Sequence, residues 1–154
     1  MQVMDHTLGA VVRSNVVLIR HELVRNLLKK RIELAAILWR DTLIDAAVFR
    51  EWMVGMGRRD AQARVAHLFC EMVTRMVVIG LADTHKCDFP VTQLDIADAL
   101  GLTDEHVNRV LKELREQGVV EFRRGTITVL DWEALQEAGE FDPTYLHLRT
   151  DRAA

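Results

Sequence analysis

The chain has 154 residues, a net charge of −3, and an apolar share of 49%. That length fits one ordinary domain or two small ones, and that apolar share excludes wholesale disorder. The acidic balance gives no bulk-charge support for nucleic-acid binding, which a strongly basic domain would supply. Two cysteines, Cys70 and Cys87, are too few for a disulfide framework. No basic-then-apolar leader is visible at the N-terminus. The most apolar run, residues 32–49, contains Arg40, Asp41 and Asp45 and makes a poor membrane span. A cytoplasmic location is expected, and no repeat or low-complexity segment stands out.

Residues 1–9 show no clear pattern. Residues 10–19 are β-branched and apolar, broken by Arg13-Ser14-Asn15, and read as one irregular strand or two short ones. From His21 to Lys30, Leu23, Val24, Leu27 and Leu28 predict a short amphipathic helix with basic residues at its C-terminal end. One or two strands cannot make a stable sheet alone, so something else should pair with them.

Residues 32–56 contain no proline, and no glycine before Gly55, which predicts a helix of roughly seven turns. Apolar side chains lie nearly all round it, so it must be covered on more than one side. One cover is the same helix of a second copy, through Leu34, Leu38, Phe49, Trp52, Met53 and Met56. The alternative is a central helix of a monomeric bundle. Gly55 and Gly57, followed by Arg58 and Arg59, read as a hinge. Asp60 can cap a helix from Ala61 to about Leu81, with Val65, Ala66, Leu68, Phe69, Met72, Met76 and Val77 on its buried side. Residues 83–90 are polar and predict a loop.

Thr92 to Gly118 is the most informative stretch. Leu94, Ile96, Ala97 and Leu100 recur at helical spacing. Thr92 is placed to cap that helix, with Asp95 returning the bond in a weak capping box. Gly101 tolerates the left-handed backbone that ends it. Thr103 then caps a second helix with Asp104 and Glu105 in its first turn, Val107, Val110, Leu111 and Leu114 as its buried stripe, and Gly118 as its stop. Two short helices about a glycine turn predict a helix-turn-helix, although an ordinary helical hairpin would show the same pattern. Val119, Val120 and Phe122, then Arg123-Arg124-Gly125, then the alternating 126–129 predict a β-hairpin. A hairpin directly after a recognition helix makes a winged helix with Arg123 and Arg124 at its tip. A short helix at 131–138 and an apolar segment at 141–146 that docks on the domain complete the reading.

The run Thr92 to Thr103, followed by Glu105-His106-Val107-Asn108-Arg109 and Leu111, resembles the C-terminal domain of the cyclic-AMP receptor protein and fumarate–nitrate regulator superfamily. The resemblance runs from about residue 10 to residue 148, and the helix pair and wing are its most specific part. It implies a mainly α fold in which a long dimerisation helix precedes a winged helix-turn-helix domain. In that family a glutamate and the arginine four residues later face base edges, which corresponds to Glu105 and Arg109 here. The residue before the arginine, Asn108, also reads DNA in many members. The residue before the glutamate is arginine in the cyclic-AMP receptor and Asp104 here, a departure that bears on base preference.

The same resemblance implies that residues 1–31 are a remnant strand and short helix of an effector-sensing β-roll, and that the rest of the roll would precede Met1. Residues 32–57 would be the dimerisation helix and hinge, 58–148 the DNA-binding domain and 149–154 a tail. The family's phosphate-binding cassette, a Gly-Glu pair followed by Arg-x-Ala, has no counterpart in this sequence, so neither a cyclic-nucleotide site nor another cofactor is expected. The implied partners are near-palindromic double-stranded DNA, a second copy of the chain and RNA polymerase, with no membrane. Arg109 would read a base through a bidentate arginine–guanine pair. Glu105 would accept from a cytosine or hold Arg109 in place. His106 and Asn108 would meet bases or phosphates, and Thr92, Gln93, Arg123 and Arg124 would set register on the backbone. Thr103 and Lys112 complete the DNA-binding set, with Arg58 and Arg59 as further local cations.

Other chemistry has little support. His67 and Cys70 share a helix face and His85 and Cys87 lie nearby, but no Cys-x-x-Cys pair marks a zinc site, and packing explains them as well. No catalytic triad order, acid–base carboxylate pair or glycine-rich phosphate loop is visible, so no enzyme is expected. Two further readings remain open: a winged helix that binds protein, and a dimer-forming fragment that pairs with a full-length regulator.

Overall fold

The structure, a computed structural model, describes residues 7–148. The expected tail at 149–154 lies outside them. The chain divides into two units, residues 1–38 and residues 39–154.

In the first unit, helix α1 spans His21–Lys30 as the periodicity predicts, with no buried residue. Residues 7–20 form no strand, which corrects the expectation for 10–19. β-propensity describes fit to a pleated surface, and it has no outlet without a neighbouring strand to supply hydrogen bonds. Val17 and Leu18 are accordingly 81% and 93% exposed. Helix α2 starts here at Glu33 and runs to Arg58 in the second unit.

The expected glycine hinge is not a break. Helix α2 continues through Gly55 and Gly57, and the chain turns only after Arg58. Glycine inside a helix costs roughly 0.5–1 kcal/mol relative to alanine, which a long helix tolerates. Asp60 then caps α3 (Ala61–Val78) by accepting from the Ala63 N–H at 2.9 Å. Helix α3 carries the core, with Val65, Ala66, Phe69 and Cys70 fully buried.

The rest wraps α3. Strand β1 (Lys86–Asp88) is followed by α4 (Gln93–Leu100), α5 (Asp104–Glu116), β2 (Val120–Arg123), β3 (Thr126–Val129), α6 (Trp132–Ala138) and a 3-10 turn at Pro143–Leu146. The loop expected at 83–90 thus contains a strand. It makes the wing a three-stranded antiparallel sheet of order β1-β3-β2, in which Ile127 faces both Cys87 and Phe122. Phe89 and Phe122 close on Phe69 with ring centroids 6.4 and 5.5 Å away, so the wing is packed on α3 rather than projecting alone. The segment expected to dock does so, with Phe141 and Leu146 buried in the common core. Gly139 allows this approach: a Cβ there would sit 2.7 Å from the His67 backbone nitrogen.

His67 and Cys70 pack inside α3, and burial pushes the Cys70 thiol up to about 12. Among the described residues no cluster of His, Cys, Asp or Glu could hold a metal ion, and no helix is long and apolar enough to cross a membrane.

Candidate nucleic-acid interface

Each end of the α4–α5 pair is fixed locally. The Thr92 hydroxyl accepts from the Asp95 N–H at 3.1 Å, and the Asp95 carboxylate accepts the Thr92 N–H at 2.7 Å. The Thr92 hydroxyl, which also donates to that carboxylate at 2.7 Å, and then the Thr92 N–H hold the Asp95 carboxyl below its ordinary pKa. Gly101 takes the left-handed conformation at φ 62°. The Thr103 hydroxyl accepts from the His106 N–H at 3.2 Å. Val107, Val110, Leu111 and Leu114 all face the core, as the spacing predicts. With the inner stripe fixed, the outer face is fixed too, because side chains repeat every 3.6 residues.

That outer face carries Glu105, Asn108, Arg109 and Lys112. The Arg109 side chain is 63% exposed and sits 4.0 Å from Glu113, one turn on, rather than against Glu105. Lys112 lies 3.8 Å from Glu116. Such exposed pairs are worth about 0–1 kcal/mol, so an incoming anion could displace them. Asn108 donates to Gln93 Oε1 at 3.1 Å, bridging α5 to the start of α4. His106 is half-buried. Thr92 has its hydroxyl and its N–H engaged in the capping box, which ties it to helix α4.

Arg124 and Gly125 form the two-residue link between β2 and β3, at φ 50° and 72°. Positive φ at both positions matches the twist of a tight hairpin. Arg124 is therefore at the tip and exposed, while Arg123, beside it, pairs with Glu121 at 2.7 Å. A Cβ on Gly125 would come within 3.0 Å of the Pro90 backbone. Between this tip and the start of α4 an open groove of about 1070 Å³ is lined by residues including Thr92, Gln93, Arg123 and Arg124. The register-setting residues expected from the sequence are thus brought together.

Other expectations are redirected. Arg59 is not an available surface cation; it is 9% exposed, donates to Glu51 at 2.6 Å and to the Glu140 carbonyl at 3.2 Å. Among the residues expected on the dimerisation face, Phe49, Met53 and Met56 are 70%, 64% and 53% exposed. Leu38 is exposed and Leu34 half-buried in the first unit. Trp52 instead packs on its own unit and donates from Nε1 to Glu71 at 3.0 Å.

Sequence reasoning missed the polar cluster beside Trp52. Glu71, 2% exposed, also accepts from the Tyr145 hydroxyl at 2.7 Å. His67 donates from Nδ1 to the Gly139 carbonyl at 3.0 Å, and its Nε2 lies 3.1 Å from the Tyr145 oxygen. Burial holds the His67 imidazole below its ordinary pKa, opposed by the Gly139 bond and reinforced by Arg59. The one available signal was a glutamate on the apolar side of a helix.

Residues 63–138 match the model of a Crp-like helix-turn-helix domain. The chain is 35% identical over 102 residues to the transcriptional activator protein FnrL of Cereibacter sphaeroides, covering 63% of this chain and 40% of that protein. It is 33% identical over 88 residues to the nitrogen fixation regulation protein FixK of Azorhizobium caulinodans, covering 57% and 36%. It therefore spans less than half the length of these relatives. The structure of FixK2 from Bradyrhizobium japonicum superposes with a TM-score of 0.69 at 28% identity, over 78% of this chain and 59% of that one.

Proposed function

Since this chain belongs to the Crp/Fnr family of regulators, we propose that it is a sequence-specific DNA-binding regulator of transcription that works as a homodimer. The observation that carries the reading is the two-sided build of α5. Its apolar stripe is buried, and Glu105, Asn108, Arg109 and Lys112 stand on the opposite, exposed face. Helix α5 would enter the major groove, with Arg109 bidentate to a guanine and Asn108 beside it. Gln93, Arg123 and Arg124, around the groove at the wing tip, would hold the phosphate backbone and set register. Thr92 and Thr103 would act mainly by fixing the helix starts that carry these contacts.

The dimer would form along α2, with Phe49, Met53 and Met56 covered by their counterparts. An exposed apolar helix face of this kind is a mark of an interface. Two copies also compensate for the acidic net charge, because two modest sites joined in one molecule bind far more tightly than either alone.

Selection of bound fragments from random double-stranded DNA tests the reading. The expected outcome is a two-fold symmetric consensus with half-sites about 10 base pairs apart, one helical turn. Enrichment of an asymmetric motif would remove the dimer, and no enrichment at any salt concentration would remove DNA binding.

A further inference from the structure

Glu71 gathers donors from two segments distant in sequence and from the next turn of its own helix. Trp52 of α2 donates to its Oε2 at 3.0 Å, Tyr145 of the C-terminal turn donates to the same oxygen at 2.7 Å, and Arg75 of α3 pairs with Oε1 at 2.9 Å. A carboxylate this buried is tolerated only when it is hydrogen-bonded and paired. Losing one donor leaves the buried carboxylate less well satisfied, which weakens the hold on the other segments.

His67, with Nε2 3.1 Å from the Tyr145 oxygen and 3.9 Å from Glu51, joins this centre to a second set of bonds that leads to the helix-turn-helix. Arg59 joins Glu51 of α2 to the Glu140 carbonyl after α6. Arg64 of α3 donates to the Arg59 carbonyl and to the Leu100 carbonyl, both at 3.1 Å. One guanidinium thus holds the chain just past α2 and the last residue of α4, where a cation also suits the helix dipole.

We infer that the Glu71 centre is a latch. Closed, it seats residues 51–58 of α2 and residues 143–146 on α3, and through Arg59 and Arg64 it sets the direction in which α4 and α5 leave the end of α2. In a dimer joined along α2, which this inference takes from the proposed function, that direction fixes the distance between the two α5 helices. Glu71, Trp52 and Tyr145 are positioning residues for half-site spacing, and none of them meets DNA.

Two measurements on the full chain judge this. Trp52→Phe and Tyr145→Phe, singly and together, remove one donor each; the second keeps its ring, and the first keeps an aromatic ring of smaller volume. Denaturant midpoints should be non-additive, the double variant losing no more than the worse single one. Amide exchange should rise together in 51–58 and 139–146 and stay unchanged in α5. Additive losses, or faster exchange only beside the altered residue, would overturn the latch. Should Tyr145→Phe fail to fold, Glu71→Gln replaces it in the pair.

The second measurement uses operators whose half-sites are one base pair closer or farther apart. Wild type should prefer one spacing by about tenfold, and Trp52→Phe should reduce that to less than about threefold at unchanged half-site affinity. A variant with an open latch and an intact spacing preference would defeat the positioning role. A wild type that binds no DNA would defeat the proposed function instead, leaving the exchange and midpoint data to decide the latch.

Discussion

Helices α2 and α3 are both rich in apolar side chains, yet they end up in opposite situations. Over 18 residues α3 buries ten, including Phe69 at 0% exposure. Over 26 residues α2 buries only Ala47 and Gly55, and leaves Phe49 70% exposed. Composition does not separate the two helices; the number of elements available to cover each one does. Helix α3 is packed by β1, α4, α5 and α6, whereas Phe49, Met53 and Met56 of α2 stay exposed among the described residues.

The sharpest way to break that comparison is to truncate one phenylalanine from each helix. Phe69→Ala should cost about 3–5 kcal/mol of unfolding free energy, as for other fully buried aromatics. Phe49→Ala should change the stability of the isolated chain by less than about 0.5 kcal/mol. Its effect should show instead in sedimentation, as a dimer dissociating at concentrations at least tenfold higher. Equal destabilisation in dilute solution would mean that α2 is covered by its own chain.

Next in size is Gly139→Ala. The added methyl would meet the His67 backbone at 2.7 Å, and backbone cannot rotate away as a side chain can. Overpacking of this kind costs typically 1–3 kcal/mol. The variant should lose thermal stability with faster exchange at 139–146, while the ends of α5, held by Thr103 and by contacts with Leu114, should not move. A neutral substitution would show that the segment is not pressed on α3.

This contrast between local and long-range determinants also explains what the sequence disclosed. The α4–α5 pair was legible because its signals are short: Thr92 and Asp95, Gly101, and Thr103 lie within a turn of what they fix. The hairpin was legible because Arg124-Gly125 sits between two alternating runs. Strand β1 was not, since Lys86-Cys87-Asp88 carries no strand signature and exists only because β3 offers a free edge. Residues 10–19 show the converse, a strand-like sequence without an edge to join. Arg59 looked like a surface cation, and its burial depends on Glu51 and Glu140, which are 8 and 81 residues away. The Glu71 centre needs α2, α3 and the C-terminal turn to meet before it is visible.

Two arginines on the proposed DNA face sharpen the comparison at the surface. Arg109→Ala should remove about 1–3 kcal/mol of discrimination between operator and random DNA, with dimerisation unchanged. Arg124→Asn keeps a residue that accepts the positive φ of the turn. It should weaken binding to every sequence about equally and lower the salt slope by about one unit. Competition titrations at several salt concentrations separate the two roles, and a selective loss at one base position in Arg124→Asn would assign it to readout.

The smallest expected effect tests the most local determinant. Asp95 is fully exposed, and its carboxyl is held below the ordinary value first by the Thr92 hydroxyl and then by the Thr92 N–H. A carboxylate whose folded pKa is depressed contributes stability that is present above its unfolded value, near 3.8, and is lost as pH falls through the folded value. The start of α4 should therefore fray only in that acid window. An amide-exchange or NMR titration at Asp95 and Ile96 should follow the carboxyl, and in Asp95→Asn the same amides should lose this pH dependence. If the titration midpoint sat at or above the ordinary carboxyl value, the box would contribute nothing to the helix start. The position of α5 would then rest on the buried stripe alone, and the surface of this domain would follow the same rule as its core.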